Sequence, residues 1–180
     1  PGPVGTSVLF NSYVFILLFL PATLLGFRAA QEYGGSRAGL VWLVACSLFF
    51  YGWWSPPYLL LLGASIGANY GLGEVLGRTS GRQQRWLLIG GISANLALLA
   101  YYKYAGFLVQ TAAALFGQEA SSFATFLPLG ISFFTFTQIV YLVDTVQGKT
   151  RRGGVVGYTL FVTFFPHLIA GPIVHHRELM

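Results

Sequence analysis

The sequence predicts an all-α, polytopic integral membrane protein with about six transmembrane or re-entrant helices. Of its 180 residues, 55% are hydrophobic and only 8% are charged, and the mean hydropathy is +0.67. A soluble domain carries about 25% charged residues, so this chain has too few charges to cover a globular surface in water. Apolar runs long enough to cross a hydrocarbon core of ~30 Å recur along the whole sequence.

Six apolar segments are separated by short stretches rich in polar residues, glycine or proline. They cover about residues 8–27, 39–54, 58–77, 86–107, 123–146 and 155–174. Most have the roughly 20 residues that a spanning helix needs; the second is shorter and ends at Ser55-Pro56-Pro57, so it is expected to be little tilted or re-entrant. The first lacks a basic lead-in and is interpreted as a retained span rather than a signal peptide.

The basic residues divide unevenly between alternate loops, as in membrane proteins whose cytoplasmic loops are positively charged. The loops after the first, third and fifth segments carry Arg28, Arg37, Arg78, Arg82, Arg85, Lys149, Arg151 and Arg152, and the opposite side carries Lys103 and Arg177. This distribution predicts alternating crossings with the N-terminus outside the cytoplasm. The net charge of +5 thus reflects topology, and no nucleic-acid partner is expected.

The third segment contains GASIGANYGLG, in which Gly63, Gly67 and Gly71 recur at every fourth residue. Small residues at this spacing let helices approach closely in lipid, so we expect this face to pack against another helix. A smooth face along which a substrate passes is the alternative. Ser65 and Asn69 lie on a neighbouring face, where we expect hydrogen bonds to another helix.

The fourth segment contains Asn95, for which we also expect a hydrogen bond between helices. It ends near Lys103, whose amine can extend to the membrane interface. The tryptophans near segment ends are interpreted as interfacial anchors: Trp42, Trp53, Trp54 and Trp86. Cys46 is the only cysteine, so neither an intrachain disulfide nor a Cys/His metal site is expected.

The fifth segment, FLPLGISFFTFTQIVYLVDTVQG, carries a polar stripe. At 100° per residue, an arc of about 120° contains Thr137, Gln138, Tyr141 and Asp144. This stripe predicts the lining of a watery or substrate-filled cavity. For Asp144 the alternative is an ion pair with Lys149 or Arg151 near the interface, and for the other three it is a structural role. Pro128-Leu-Gly130 is expected to break the segment near its start.

The sixth segment overlaps FFPHLIAGPIVHHRELM, residues 164–180, in which Pro166 and Gly171-Pro172 are expected to disrupt the helix. Broken backbone at membrane depth is tolerated where it is buried in protein or lines a water-filled cavity. His167, near the middle of the segment, either bonds to a freed carbonyl and holds the kink or lines a site. The residues that follow are interpreted as an interfacial cluster: His175, His176, Arg177 and Glu178.

Several of these stretches resemble a known family. LPLGISFFTFTQIVYLVDTVQG, followed by FFPHLIAGPIVHHREL, resembles the paired signature of the membrane-bound O-acyltransferase (MBOAT) superfamily. LFNSYVFILLFLPATLLGF, FFYGWWSPPYLLLL and RWLLIGGISANLALLAYYKYAGF resemble, in the same order, its bacterial alginate O-acetyltransferase branch. The sequence lacks an initial Met and stops abruptly at Met180, so both ends are expected to be truncated. The resemblance covers nearly all of the chain and implies the N-terminal membrane portion, residues 1–180, of a single MBOAT domain.

The resemblance implies a multi-pass enzyme of the bacterial cytoplasmic (inner) membrane that transfers acetyl groups to hydroxyls of an exported polysaccharide such as alginate. Members use a histidine that a tunnel reaches from both membrane faces. The acetyl donor, acetyl-CoA or an acyl carrier, is a substrate and not a bound cofactor. Expected partners are the lipid bilayer, the polysaccharide acceptor and periplasmic or extracellular acetylation proteins.

The catalytic residue stays unknown, because the family histidine is expected beyond Met180. Residues 1–180 are therefore expected to be inactive alone. The resemblance assigns His167 to the tunnel wall, and we expect the stripe residues to line it as well: Gln138, Tyr141, Thr137 and Asp144. The motifs leave open D-alanyl transfer to teichoic acid and peptidoglycan O-acetylation. A transporter or channel is the alternative of another class, since broken helices and polar stripes occur there too.

Overall fold

The computed structural model describes residues 15–54, 56–115, 128, 130–149 and 154–164. These residues form helices joined by short turns, and no strand occurs among them. A π-helical turn, Phe15–Phe19, leads into α1 (Leu20–Trp54), α2 (Pro56–Leu76), α3 (Gly81–Leu115), α4 (Ile131–Val146) and α5 (Gly154–Thr163). The predicted all-α class is confirmed for this part of the chain. Six separate crossings are not shown.

The helix α1 consists of two antiparallel arms, residues 20–34 and 36–54. Gly35 has φ 73 and ψ −176, a conformation that a residue with a Cβ rarely adopts. On a straight helix, Thr23 and Trp42 would be about 28 Å apart. Instead, the Trp42 indole Nε1 donates a hydrogen bond to the Thr23 carbonyl at 3.1 Å, and the rings of Phe19 and Phe50 lie 5.6 Å apart. The loop predicted between the first two segments is thus helical except at this reversal.

The next three helices pack against one another, and α1 and α5 complete the buried core with Tyr51, Tyr158, Phe161 and Val162. The helix α3 runs antiparallel to α2, with contacts at three successive levels: Tyr58 with Tyr102, Asn69 with Asn95, and Leu76 with Gln84. The helix α4 runs parallel to α2, because successive turns of the two helices meet in the same order. Ser65 contacts Gln138, and three turns later a Cβ added at Gly77 would lie 3.9 Å from Thr145 Cγ2. The C-terminal ends of α2 and α4 therefore meet at the N-terminal end of α3. This end carries Arg78, Arg82, Arg85 and Lys149.

The bounds of α4 and α5 bear on two predicted breaks. Gly130 adopts φ 67 at the position preceding α4, so the helix begins at Ile131, next to the predicted break; residues 123–127 and 129 of that segment lie outside the described residues. The helix α5 is described from Gly154 to Thr163. The predicted break at Pro166 lies outside the described residues. Within the described ranges, two stretches are long and apolar enough to cross a membrane by length and composition, Leu17–Trp53 and Pro56–Leu76, and the first of them reverses direction at Gly35.

Candidate functional site

A cluster of four polar side chains lies where α2, α3 and α4 meet, and we call it the amide cluster. Its members are Ser65 and Asn69 of α2, Asn95 of α3 and Gln138 of α4. None is more than 9% exposed, and Gln138 is fully buried. Residues four apart share a helix face, so Ser65 and Asn69 reach the same region from successive turns. The antiparallel α3 and the parallel α4 each add one amide at that level.

Direct hydrogen bonds connect all four side chains. Ser65 Oγ donates to Gln138 Oε1 at 2.7 Å, and Asn69 Nδ2 donates to the same oxygen at 3.0 Å. Asn95 Nδ2 donates to Asn69 Oδ1 at 2.7 Å. Two backbone carbonyls complete the cluster, since Asn69 Nδ2 lies 3.0 Å from the Ser65 oxygen and Asn95 Nδ2 lies 2.8 Å from the Gly91 oxygen. The interhelical bonds predicted for Ser65, Asn69 and Asn95 are therefore confirmed.

Two further members of the predicted polar stripe of α4 are also buried in helix contacts. Tyr141 lies against Gly73 of α2, and its ring centroid is 4.2 Å from that of Tyr158 of α5. The Thr137 hydroxyl donates to the Phe133 carbonyl of its own helix at 2.9 Å. These contacts give the stripe a packing role within the described residues. Its predicted role in lining a passage stays a prediction.

Asp144, the last stripe residue, is half-buried near the C-terminal end of α4. The Lys149 backbone N–H donates to the Asp144 backbone carbonyl at 2.9 Å. Their side chains form no ion pair; within the described ranges, the ion pair found is that of Arg78 with Glu74, at 3.2 Å. The other predicted partner, Arg151, lies outside the described residues. So does His167, for which tunnel lining likewise stays a prediction.

The predicted glycine face of α2 is not packed within the part of the chain that the structure describes. Apart from the neighbouring backbone of α2 itself, no atom of this part lies within 4 Å of a Cβ added at Gly63, Gly67 or Gly71. Close approach occurs instead at Gly73, where a Cβ would overlap the Tyr141 ring, and at Gly91, where it would overlap the Leu72 side chain. The sequence spacing singled out neither glycine. Gly73 falls outside the four-residue repeat, and only its shared face with Ser65 and Asn69 would have indicated it.

Comparison with curated proteins shows similarity to O-acetyltransferases over 96% of the chain. The chain is 38% identical to a peptidoglycan O-acetyltransferase of Helicobacter pylori. It is 38% identical to a probable alginate O-acetylase of Pseudomonas putida and 35% identical to that of Pseudomonas aeruginosa. The chain spans 38%, 36% and 34% of the lengths of these relatives, respectively.

No family model and no solved structure matches the chain. The similarity to O-acetyltransferases therefore depends on pairwise sequence identity, over 96% of this chain and about a third of each relative. Assignment to the MBOAT superfamily stays a prediction.

Proposed function

We propose that this chain is part of an integral membrane O-acetyltransferase that acetylates hydroxyls of an exported polysaccharide such as alginate. The observation that carries this proposal is 35–38% identity, over 96% of the chain, to relatives named for O-acetyl transfer. Peptidoglycan O-acetylation is the second candidate. The relative named for that reaction matches the chain at 38% identity, the same value as the Pseudomonas putida relative.

An apolar exterior supports placement in the bacterial inner membrane. Large apolar side chains on the surfaces of α1, α2 and α3 are more than half exposed, among them Leu25, Phe49, Leu60, Trp86 and Phe107. In water such a surface would promote aggregation, whereas in lipid it is the favourable one. The basic end formed by α2, α3 and α4 would face the cytoplasm. If the two arms of α1 and then α2 each cross the membrane, three crossings precede this end and the N-terminus lies outside the cytoplasm.

In the proposed reaction, the oxygen of an acceptor hydroxyl attacks the carbonyl carbon of the acetyl thioester, the C–S bond breaks, and the donor leaves as a thiol that receives the proton lost by the hydroxyl. A histidine in the part of the protein that follows residue 180 takes the hydroxyl proton as general base. Acetyl-CoA or an acyl carrier would donate from the cytoplasmic side, and periplasmic proteins would act on the exported polymer. The tunnel wall would include His167 and the stripe of α4: Thr137, Gln138, Tyr141 and Asp144.

Acetyl-ester analysis of two polymers in the source bacterium tests the proposal. We expect deletion of the gene to remove esters from the exopolysaccharide and leave those of peptidoglycan unchanged, and the complete gene product to restore them. Loss of peptidoglycan esters alone would favour the second candidate. Unchanged ester content in both polymers would contradict O-acetyl transfer. Residues 1–180 expressed alone are expected to restore neither, because the catalytic histidine is proposed to lie outside them.

A further inference from the structure

The hydrogen bonds of the amide cluster determine the orientation of its three amides. Asn69 and Asn95 each hold one amide atom against a backbone carbonyl oxygen, at 3.0 Å and 2.8 Å. A carbonyl oxygen only accepts, so both of these atoms are Nδ2 nitrogens. The Gln138 atom that lies 3.0 Å from Asn69 Nδ2 must then be an acceptor, Oε1. Gln138 therefore directs its Nε2, with two N–H donors, away from the cluster.

Gln138 Nε2 has no hydrogen-bond partner among the described residues, although the side chain is fully buried. A buried donor without a partner destabilises the folded protein, because it has lost its hydrogen bonds to water without replacing them. Buried polar groups in native proteins nearly always have a partner, and an ordered water or a ligand often supplies it. The orientation of Gln138 thus indicates an acceptor that the neighbouring helices do not provide.

Thr135, three residues before Gln138 on α4, carries a second buried polar group without a hydrogen-bond partner among the described residues. It is fully buried, and its Oγ1 has no partner within the described ranges. Other helical threonines donate to the carbonyl four residues earlier, the usual local partner: Thr23, Thr137, Thr145 and Thr163. Thr135 does not use that partner, so its hydroxyl is available for another group.

We propose that Gln138 Nε2 and Thr135 Oγ1 together bind one oxygen acceptor on the buried face of α4. Side chains three residues apart on a helix are neighbours, with Cβ atoms about 5–6 Å apart, so one oxygen can accept from both. The acceptor is either a water molecule or the carbonyl oxygen of an acetyl group in transit. The assignment to an acetyl carbonyl rests on the proposed function, and the assignment to water does not.

Structures of the complete gene product, at a resolution that shows ordered water, test the site directly. They are determined without ligand and with acetyl-CoA as the probe. We expect an oxygen within about 2.7–3.2 Å of Gln138 Nε2. An oxygen present without the probe identifies water, and one present only with the probe identifies the acetyl carbonyl. A site that is empty in both structures overturns the proposal.

Thr135→Val provides an independent test by thermal unfolding, because it removes the hydroxyl while keeping the shape of the side chain. If the hydroxyl binds an acceptor, Tm falls. If it is unpaired, Tm stays the same or rises, because a buried unsatisfied group is lost, and the proposal fails. Thr163→Val is the matched control, since the Thr163 hydroxyl is equally buried but bonds within its own helix at 2.7 Å.

Gln138→Met separates the two sources by kinetics. An acetyl carbonyl bound at Nε2 predicts a KM for acetyl-CoA that is about tenfold higher, whereas Thr163→Val leaves KM unchanged. An unchanged KM together with an ordered oxygen in the ligand-free structure supports water. The oxygen seen in the structures and the change in Tm can both be measured on a protein that transfers no acetyl group. A protein that acetylates neither polymer would therefore overturn the proposed function, while these two measurements would still test the proposed site.

Discussion

The two faces of α2 differ in how far neighbouring helices cover them. One face carries Ser65, Asn69 and Gly73, all buried, and it contacts both α3 and α4. The other carries Gly63, Gly67 and Gly71, whose added Cβ atoms would meet nothing within 4 Å among the described residues. The repeat of small residues thus lies on the open face, while a single glycine beside two polar residues marks the packed one.

This difference shows what determines close packing in such a helix. At Gly73 the partner is a large aromatic side chain, Tyr141, which fills the space where a Cβ would lie. Polar residues one and two turns earlier then bond across the same interface. A small residue therefore allows close approach, and complementary shape and hydrogen bonds on the partner determine where approach occurs.

Gly73→Leu is expected to have the largest effect on the packed face. The added side chain overlaps the Tyr141 ring, which also packs on Tyr158, so the free energy of unfolding should fall by about 3 kcal/mol. Equilibrium unfolding of the purified protein measures the change. Gly71→Leu is the control on the open face, where we expect a small stabilisation of about 0.5–1 kcal/mol, because leucine favours the helix more than glycine does. Equal losses for the two variants would remove the distinction between the faces.

Asn69→Leu is expected to have an intermediate effect, a loss of about 2 kcal/mol, because Asn95 and Gln138 each lose a buried partner. The double variant Asn69→Leu, Asn95→Leu should lose less than the sum of the single variants, since the two amides bond to each other. Gln83→Leu, at an exposed position of α3, is the control and should change stability little. Strict additivity in this cycle would show that the amide cluster does not act as a unit.

Gly67→Ala is expected to have the smallest effect, a stabilisation of about 0.5–1 kcal/mol, because alanine favours the helix and nothing described lies near its methyl group. The matched change, Gly91→Ala, should destabilise, since its methyl group overlaps Leu72. Thermal unfolding of the complete gene product measures both. Destabilisation by Gly67→Ala would show that another helix covers the open face there, as the four-residue repeat predicted.

Parts of the site were predictable from local sequence. An asparagine in an apolar helix needs a partner, so interhelical bonds were expected for Asn69 and Asn95, and they occur. The helical period also placed Gln138 on a polar face of α4, but it did not reveal that Ser65 and Asn69 of α2 are the partners of that amide. Periodicity describes one helix at a time. It contains no information on how two helices are aligned along their axes.

The sequence by itself determined the all-α class and the approximate positions of the helices, because hydrophobicity and helical period are properties of neighbouring residues. It also determined that α4 starts after Gly130, since the breaking signal is local. Only the tertiary structure decided that α1 reverses at Gly35, that Gly73 and Gly91 are sites of close approach among α2, α3 and α4, and that Gln138 Nε2 is left without a partner among the described residues. These features depend on contacts between residues 19 to 73 positions apart, whose relative placement follows from packing of whole helices and not from any short stretch of sequence.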